Sequence, residues 1–316
     1  MVTNNIKRSN LKTIVIGCTP LAQKITHTLK EISNLVGVVN LEPSAAINKC
    51  NYCSTIGHNE LTHWTQDINS KQTKCWIQSL SPDIIIQCGW SQIFNQDILQ
   101  IPKKYCLGIH PSPLPMGRGA AILNWKIIES NGKNIDWGNS IFVMEKQTDV
   151  GDIIALKNFT IETRDNIQTV YDKVCSTSVD MIKEVIKDID NNTELLIKQD
   201  DDLADRYYKR KPEDGMIDIN WSSIKINDYI RALTHPFPGA FLNSSIGKLT
   251  FWKSKILSSN EIAEPGTIMS ISSKGLRLKC GNNTDILIQR VSIDNIEYWA
   301  DEFMSVSKLK IGQNIL

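Results

Sequence analysis

Apolar and polar positions along this chain fall into two regimes. In the first two thirds, short unbroken apolar runs alternate with stretches whose apolar residues recur every three or four positions. Lys12–Gly17 (KTIVIG), Val36–Val39 (VGVV), Ile84–Cys88 (IIIQC) and Tyr105–Ile109 are runs of the kind that a parallel sheet buries on both faces. Leu21–Ile32, Asp97–Ile101, Ala120–Ser130 and Asn166–Lys187 read as helices. In the last of these Val170, Val174, Val179, Ile182 and Ile186 mark one apolar face. Asn139–Met144 adds a strand and leads into an acidic, glycine-containing turn over Thr148–Ile154. The polar, Asn-rich stretch Pro43–Ser70 reads as a long excursion with a short helix over Glu60–Ile68.

Around Leu203 the period changes. Tyr207–Asp218 is charged and turn-rich, as a linker is, and a short helix over Ile226–Leu233 stops at His235-Pro236-Phe237-Pro238-Gly239. Short strands follow over Lys248–Trp252, Gly266–Ile271, Leu276–Cys280 and Asp285–Val291, separated by Gly, Asn and Ser turns. The whole predicts an α/β domain with a mostly parallel sheet over 1–205. A linker and short helix follow over 206–240, then a small antiparallel barrel or sheet over 241–316.

Composition narrows the class. With 316 residues, 41% of them hydrophobic, the chain is long enough for more than one core. Its 35 basic and 34 acidic residues nearly cancel to +1, so no global charge draws it to nucleic acid or an anionic membrane. The basic run Tyr207–Lys211 reads as solvated surface. No window approaches the roughly 18 unbroken apolar residues of a membrane span. Met1–Asn10 is polar and carries no apolar signal region, which predicts a cytoplasmic protein. Cys18, Cys75, Cys88 and Cys106, of eight cysteines, lie in apolar segments and read as small buried hydrophobes. Cys50 and Cys53, with His58 and His63 downstream, have some of the spacing of a zinc site; no second cysteine pair completes it, and no metal is expected.

Candidate chemistry collects in loops at predicted strand ends, where open α/β sheets gather their ligands. The opening strand–turn–helix has only Gly17 of a dinucleotide fingerprint. Gly89-Trp90-Ser91-Gln92 follows the third strand, with Trp90 either facing a ligand or lidding the core. The fourth strand delivers His110 into a loop stiffened by Pro111, Pro113 and Pro115. Asp149 stands in the second acidic turn. A histidine exchanges protons near neutral pH, and a carboxylate beside it orients the ring, a pairing suited to acyl transfer onto an amine. The alternative for His110 is a structural hydrogen-bonding role, and for His235 a turn role. No G-x-S-x-G elbow or Walker loop appears, which argues against covalent hydrolase and phosphoryl-transfer chemistry.

Two segments, His110-Pro-Ser-Pro-Leu-Pro-Met-Gly-Arg-Gly119 and Asp149-Val-Gly-Asp-Ile153, resemble the folate-dependent formyltransferase family. That family includes methionyl-tRNA formyltransferase, glycinamide ribonucleotide transformylase and the sugar N-formyltransferases. Tyr208–Asp218, Arg231–Phe241 and Glu264–Ile268 are similar to its second-domain segments, so the likeness runs from Lys12 to about Ile315.

The resemblance implies a Rossmann-like catalytic domain, an OB-like C-terminal barrel, and transfer of a formyl group from N10-formyltetrahydrofolate to a primary amine. His110 and Asp149 match the family's catalytic pair. Gln92, Ile93, Phe94, Ser112, Pro113, Leu114, Pro115, Glu145, Lys146, Gln147 and Thr148 match its folate contacts, with Trp90, Arg118 and Asn124 toward the substrate. One position departs. The family's Asn-x-His is here Gly108-Ile109-His110, and loss of one oxyanion donor costs about 2.7–4 kcal/mol. The side chains of Asn124 or Asn139, or a bound water, are the substitutes to expect. Gly-Trp-Ser-Gln paired with Gly-x-His-Pro is similar to the sugar branch, which implies a nucleotide-linked amino-dideoxy sugar of surface polysaccharide. Methionyl-tRNA formyltransferase and an inactive folate- or sugar-binding homologue are the alternatives, and a homodimer stays open.

Overall fold

Unbroken β-branched runs have no solvent side to offer, and in the structure they have none. A computed structural model describes residues 8–47, 49–54, 61–307 and 309–316, the side chain of Met304 excepted. Ile14, Val15 and Ile16 of β1 (Lys12–Gly17) and Ile84, Ile85 and Ile86 of β4 (Ile84–Cys88) are wholly buried. Between them run α1 (Pro20–Ile32), β2 (Asn34–Leu41), β3 (Thr62–Thr65) and α2 (Lys71–Leu80). After β4 come α3 (Gln96–Leu99), β5 (Tyr105–His110), the two-residue β6 (Arg118–Gly119) and α4 (Ile122–Glu129). They are followed by β7 (Ile135–Val143), β8 (Ile153–Ile161), α5 (Ile167–Asn191) and β9 (Arg206–Tyr207). Helix starts use ordinary caps: the side chains of Ser70 and Asn95 accept from the backbone N–H groups of Thr73 and Ile98.

The sheet has seven strands in the order β3-β2-β1-β4-β5-β7-β8. The pairs from β3 to β5 are parallel, and β7 runs antiparallel to β5. Register decides which side chains share a face. Gln87 pairs with Gly108, Gly108 with Phe142, and His110 with Ser140. Paired residues share a face and alternate residues return to it, so Gln87, Gly108, His110, Ser140 and Phe142 belong to one face and Asn139 to the other. Between β1 and β4, where strand order reverses, the backbones close tightly. A Cβ on Gly17 would lie 2.3 Å from Cys88 O, so the close approach of β1 to β4 requires glycine at this position.

One expected helix is a strand. Residues 61–68 hold no helix but the strand β3 over Thr62–Thr65, which pairs in parallel with Val38–Leu41; Glu60 lies outside the described residues. Threonines and aromatics suit a half-buried edge strand, which needs no apolar run. His63 stacks on Trp76 with ring centroids 4.9 Å apart and shares a hydrogen bond with Thr73 Oγ1. Among the described residues no group of three or more His, Cys, Asp or Glu side chains is placed to hold a metal ion; His58 lies outside them.

A second unit holds α6 (Ser223–Leu233), β10 (Ala240–Ser244), β11 (Gly247–Leu257), β12 (Ile268–Ser272), β13 (Gly275–Cys280), β14 (Thr284–Ile293), β15 (Ile296–Trp299) and α7 (Ala300–Ser307). Its antiparallel sheet runs β10-β11-β14-β13-β12, with β15 also on β14. Register shifts at Phe251–Ser254 bend β11, as bulges do. Segments 123–135 and 161–171 group with this unit rather than with the first, so the division differs from the expected break at 205. The cause is a buried polar hub. Arg231 reaches Asp228 at 2.9 Å and the Asp165 carbonyl at 2.9 Å, and Gly132 N–H donates to Asp228.

Cys18, Cys88, Cys106, Cys175 and Cys280 are buried, and burial pushes the thiols of Cys106 and Cys175 up to about 12 and about 11, out of reach of thiolate chemistry near neutral pH. Cys75 is instead exposed, on the outer side of α2. Among the described residues no helix is long and apolar enough to cross a membrane.

Candidate active site

The loop after β5 carries little regular structure, so its shape comes from side chains that serve its backbone. Ser140 Oγ donates to Ser112 O at 2.7 Å and accepts from Leu114 N–H at 3.1 Å. Trp137 Nε1 donates to Pro111 O at 2.9 Å. Ser112 N–H returns to His110 O at 2.8 Å. Thus β7 anchors the proline loop from the neighbouring strand, and the loop turns back over His110.

His110 is buried, and its Nε2 lies 2.7 Å from Gly117 O. A carbonyl only accepts, so Nε2 carries a proton and the open ring nitrogen of the neutral side chain is Nδ1. That atom faces Asp149 Oδ1 at 3.8 Å. Asp149 is buried too and sits at φ +64°, a left-handed conformation that aspartate tolerates better than most residues. Its other oxygen, Oδ2, accepts from Gly119 N–H at 2.8 Å. One backbone carbonyl and one backbone N–H therefore fix ring and carboxylate against each other, in a place largely shielded from water.

A further layer was not legible in the sequence. Gln199 Nε2 donates to Asp149 O at 3.0 Å and to Gly151 O at 2.7 Å, which holds the Asp149 turn. Arg118 in turn donates to Gln199 Oε1 at 2.8 Å and to Asp201 at 2.7 Å, and Asp205 accepts from Gly117 N–H. Arg206 reaches Thr148 O at 3.0 Å. No motif or spacing in residues 199–206 points at the site. Gly119, at φ +104°, lets the chain pass here, for a Cβ would lie 2.0 Å from Tyr207 O. Gln199→Leu keeps the bulk but removes the bonds that Gln199 donates to Asp149 O and Gly151 O and those it accepts from the buried Arg118. It is expected to lower turnover on the order of tenfold by loosening the carboxylate's position, and to lower the melting temperature as well, since buried polar groups lose partners at about 1–3 kcal/mol each. Kinetics beside thermal unfolding check this.

The sequence-chosen positions are placed unequally. Phe94 is buried in the core with Ile68, Ile77 and Ile98, so it packs the fold. Gln92 is spent on the backbone, accepting from Ile68 N–H at 2.9 Å and donating to Gln66 O at 2.6 Å. Ile93, by contrast, is 68% exposed, and Glu145, Lys146, Gln147 and Thr148 are exposed as well. Ser112, Pro113 and Leu114 are buried, with Pro115 half-buried. Arg118 is buried and committed to Gln199 and Asp201, so it braces the loops. Trp90 is buried in the core cluster, yet its Nε1 and the Ser112 hydroxyl meet no partner among the described residues.

Gly108 is the sharpest departure. A Cβ there would lie 2.7 Å from the Phe142 ring and 3.2 Å from Met144. The space is filled by an apolar cluster of Leu114, Phe142 and Ile153 with Met144 against it. The amide nitrogens of both asparagines expected to substitute have partners elsewhere. Asn139 lies on the opposite face of the sheet, and its amide nitrogen serves Val174 O, Thr177 Oγ1 and Ser178 Oγ of α5. Asn124 belongs to the second unit and donates to Ala232 O at 2.7 Å.

Comparison with known proteins brings in independent findings. Residues 19–186 match the family model described as Formyl transferase, and residues 209–307 match Formyl transferase, C-terminal domain. The bifunctional polymyxin resistance protein ArnA of Wigglesworthia glossinidia brevipalpis is 32% identical over 83% of this chain and 40% of its own length. The methionyl-tRNA formyltransferase of Geobacter sulfurreducens is 32% identical over 76% of this chain and 74% of its own. Among solved structures, HypX from Aquifex aeolicus in complex with tetrahydrofolic acid superposes with a TM-score of 0.70 at 15% identity, covering 96% of this chain and 48% of that one. An N-formyltransferase from Helicobacter canadensis, in complex with folinic acid and dTDP-3-aminofucose, gives 0.60 at 18% identity over 88% and 98%. The chain thus spans less than half the length of ArnA and of HypX. At these identities the structures speak for the fold.

Proposed function

The chain belongs to the formyl transferase family, and from that premise we propose that it moves a formyl group from N10-formyltetrahydrofolate onto the primary amine of a nucleotide-linked amino sugar. The observation that carries the reading is the buried His110–Asp149 pair with Nδ1 as the open ring nitrogen. The unpartnered Trp90 indole N–H and Ser112 hydroxyl, at the ends of β4 and β5, and the exposed Ile93 fit a flat heterocycle rich in amide acceptors, as the folate pterin is. The folate supplies an activated formyl group. Trp90, Ile93 and the loops 112–115 and 145–148 would hold it.

The chain's own residues then manage protons and position. As the amine nitrogen bonds to the formyl carbon it must lose a proton, which His110 takes at Nδ1. Asp149 Oδ1 faces that proton and stabilises the imidazolium. His110 returns the proton to N10 as the carbon–N10 bond breaks, giving the N-formyl product and tetrahydrofolate. Ser140, Trp137 and Gln199 keep the loops rigid, so that the two substrates meet in one geometry.

For the acceptor, support for a nucleotide sugar comes from the +1 net charge and from the fold shared with an enzyme bound to dTDP-3-aminofucose. A second reading, initiator methionyl-tRNA, is supported by the Geobacter relative, which the chain matches over most of its length. A panel of nucleotide amino sugars and charged initiator tRNA, with mass detection of the added formyl group, separates them. Turnover of an amino sugar that persists unchanged between 50 and 200 mM salt, roughly the range over which phosphate-dependent binding weakens steeply, supports the proposal. Transfer to tRNA alone sinks it.

A further inference from the structure

We propose that the side-chain amide of Gln87 supplies the oxyanion hydrogen bond that position 108 does not, a role that rests on the formyl-transfer reading above. Gln87 pairs with Gly108 on the adjacent parallel strand. It therefore stands beside the vacant position, on the face shared with His110. Phe142 closes Gly108 from the β7 side, so β4 is the neighbour left to reach across.

The amide is already aimed. Gln87 Nε2 donates to Trp90 O at 2.8 Å, which draws it past the last residue of β4 toward the strand ends where His110 lies. Because a carbonyl only accepts, this bond also settles which end of the amide is nitrogen. A primary amide has two N–H groups, and among the described residues the second meets no acceptor. The side chain is half-buried, so it still opens outward. The Ser140 hydroxyl proton goes to Ser112 O and Asn139 faces α5, while the unpartnered Ser112 hydroxyl and Trp90 indole N–H are the groups assigned above to the folate.

The electron accounting is simple. As the amine nitrogen bonds to the formyl carbon, the carbonyl π pair moves onto oxygen. Gln87 N–H donates a hydrogen bond to that oxygen and keeps its proton. The pair returns to reform the carbonyl when the carbon–N10 bond breaks.

Steady-state kinetics on the intact chain, with formyltetrahydrofolate and an accepting amine, test the role. Gln87→Leu and the near-isosteric Gln87→Met should each lower kcat about 100- to 1,000-fold, as loss of one oxyanion donor does, with KM for the amine little changed. Adding Gly108→Asn with Phe142→Ala to Gln87→Leu builds a donor from β5 and should recover kcat at least about tenfold. Wild-type kcat in both single variants overturns the proposal, as does a loss confined to KM or to Gln87→Leu, or a triple variant no faster than Gln87→Leu. A wild-type chain that transfers nothing to any amine instead removes the formyl-transfer reading, and this role with it.

Discussion

His110→Ala is expected to lower kcat for formyl transfer by about 10²–10⁴-fold, the range that a positioned general base contributes. The fold should survive, because His110 ends β5 and the loop beyond it is held by Ser140 and Trp137. Asp149→Asn reaches a similar loss by another route. An asparagine Oδ1 or Nδ2 takes the place of each carboxylate oxygen. With Gly119 N–H as a fixed donor on one side, the side-chain oxygen turns there and the NH2 faces His110 Nδ1. The ring's one open nitrogen then accepts from that amide and is no longer free to take the amine proton. Rapid-quench rates beside circular dichroism measure both effects; two variants as fast as the wild type would remove the pair from the chemistry.

Gly108→Asn is expected to fail as a repair. Written from the family pattern, it restores a missing donor and promises a gain in activity. In this sheet the first carbon of any side chain at 108 lies 2.7 Å from the Phe142 ring, opposite it in register. Overpacking of that kind costs about 1–3 kcal/mol, because Phe142 is itself hemmed in by Leu114, Ile153 and Met144. Urea unfolding should show the variant destabilised by that amount, with no gain in kcat. A variant as stable as the wild type and faster than it would mean that the pocket beside Gly108 is open.

Much of the fold was legible because parallel strands leave a plain mark. β1, β4 and β5 are apolar without alternation; the bounds of β1 and β4 match the runs that predict them, and β5 runs one residue further, to His110. β3 was hidden because an edge strand built from Thr, His and Trp looks polar, and β8 because Lys157, Asn158 and Thr160 interrupt its apolar residues. The two-domain division was read at the charged linker. Segments 123–135 and 161–171 escaped that reading because a buried Arg231–Asp228 hub, not sequence order, decides where they belong.

The pairing of His110 with Asp149 was available from the loops' positions at strand ends, though their separation was not. The resemblance implies a place toward the substrate for Arg118, and the bonds its guanidinium makes to Gln199 and Asp201 leave no mark in the sequence. That the amides of Asn139 and Asn124 are bonded to α5 and to Ala232 O was visible only once register and partners were known. Gln199, Asp205 and Gln87 act through distance in space, and a single sequence carries no sign of them.

The most direct test is a single-turnover reaction with excess protein, an isotopically labelled formyl group on N10 of tetrahydrofolate and a nucleotide amino sugar as acceptor. The label should move to the sugar amine in the wild type, and stay on the folate in His110→Ala and Asp149→Asn. Label that never leaves the folate with any amine, or leaves it equally fast in the variants, would contradict formyl transfer at this pair.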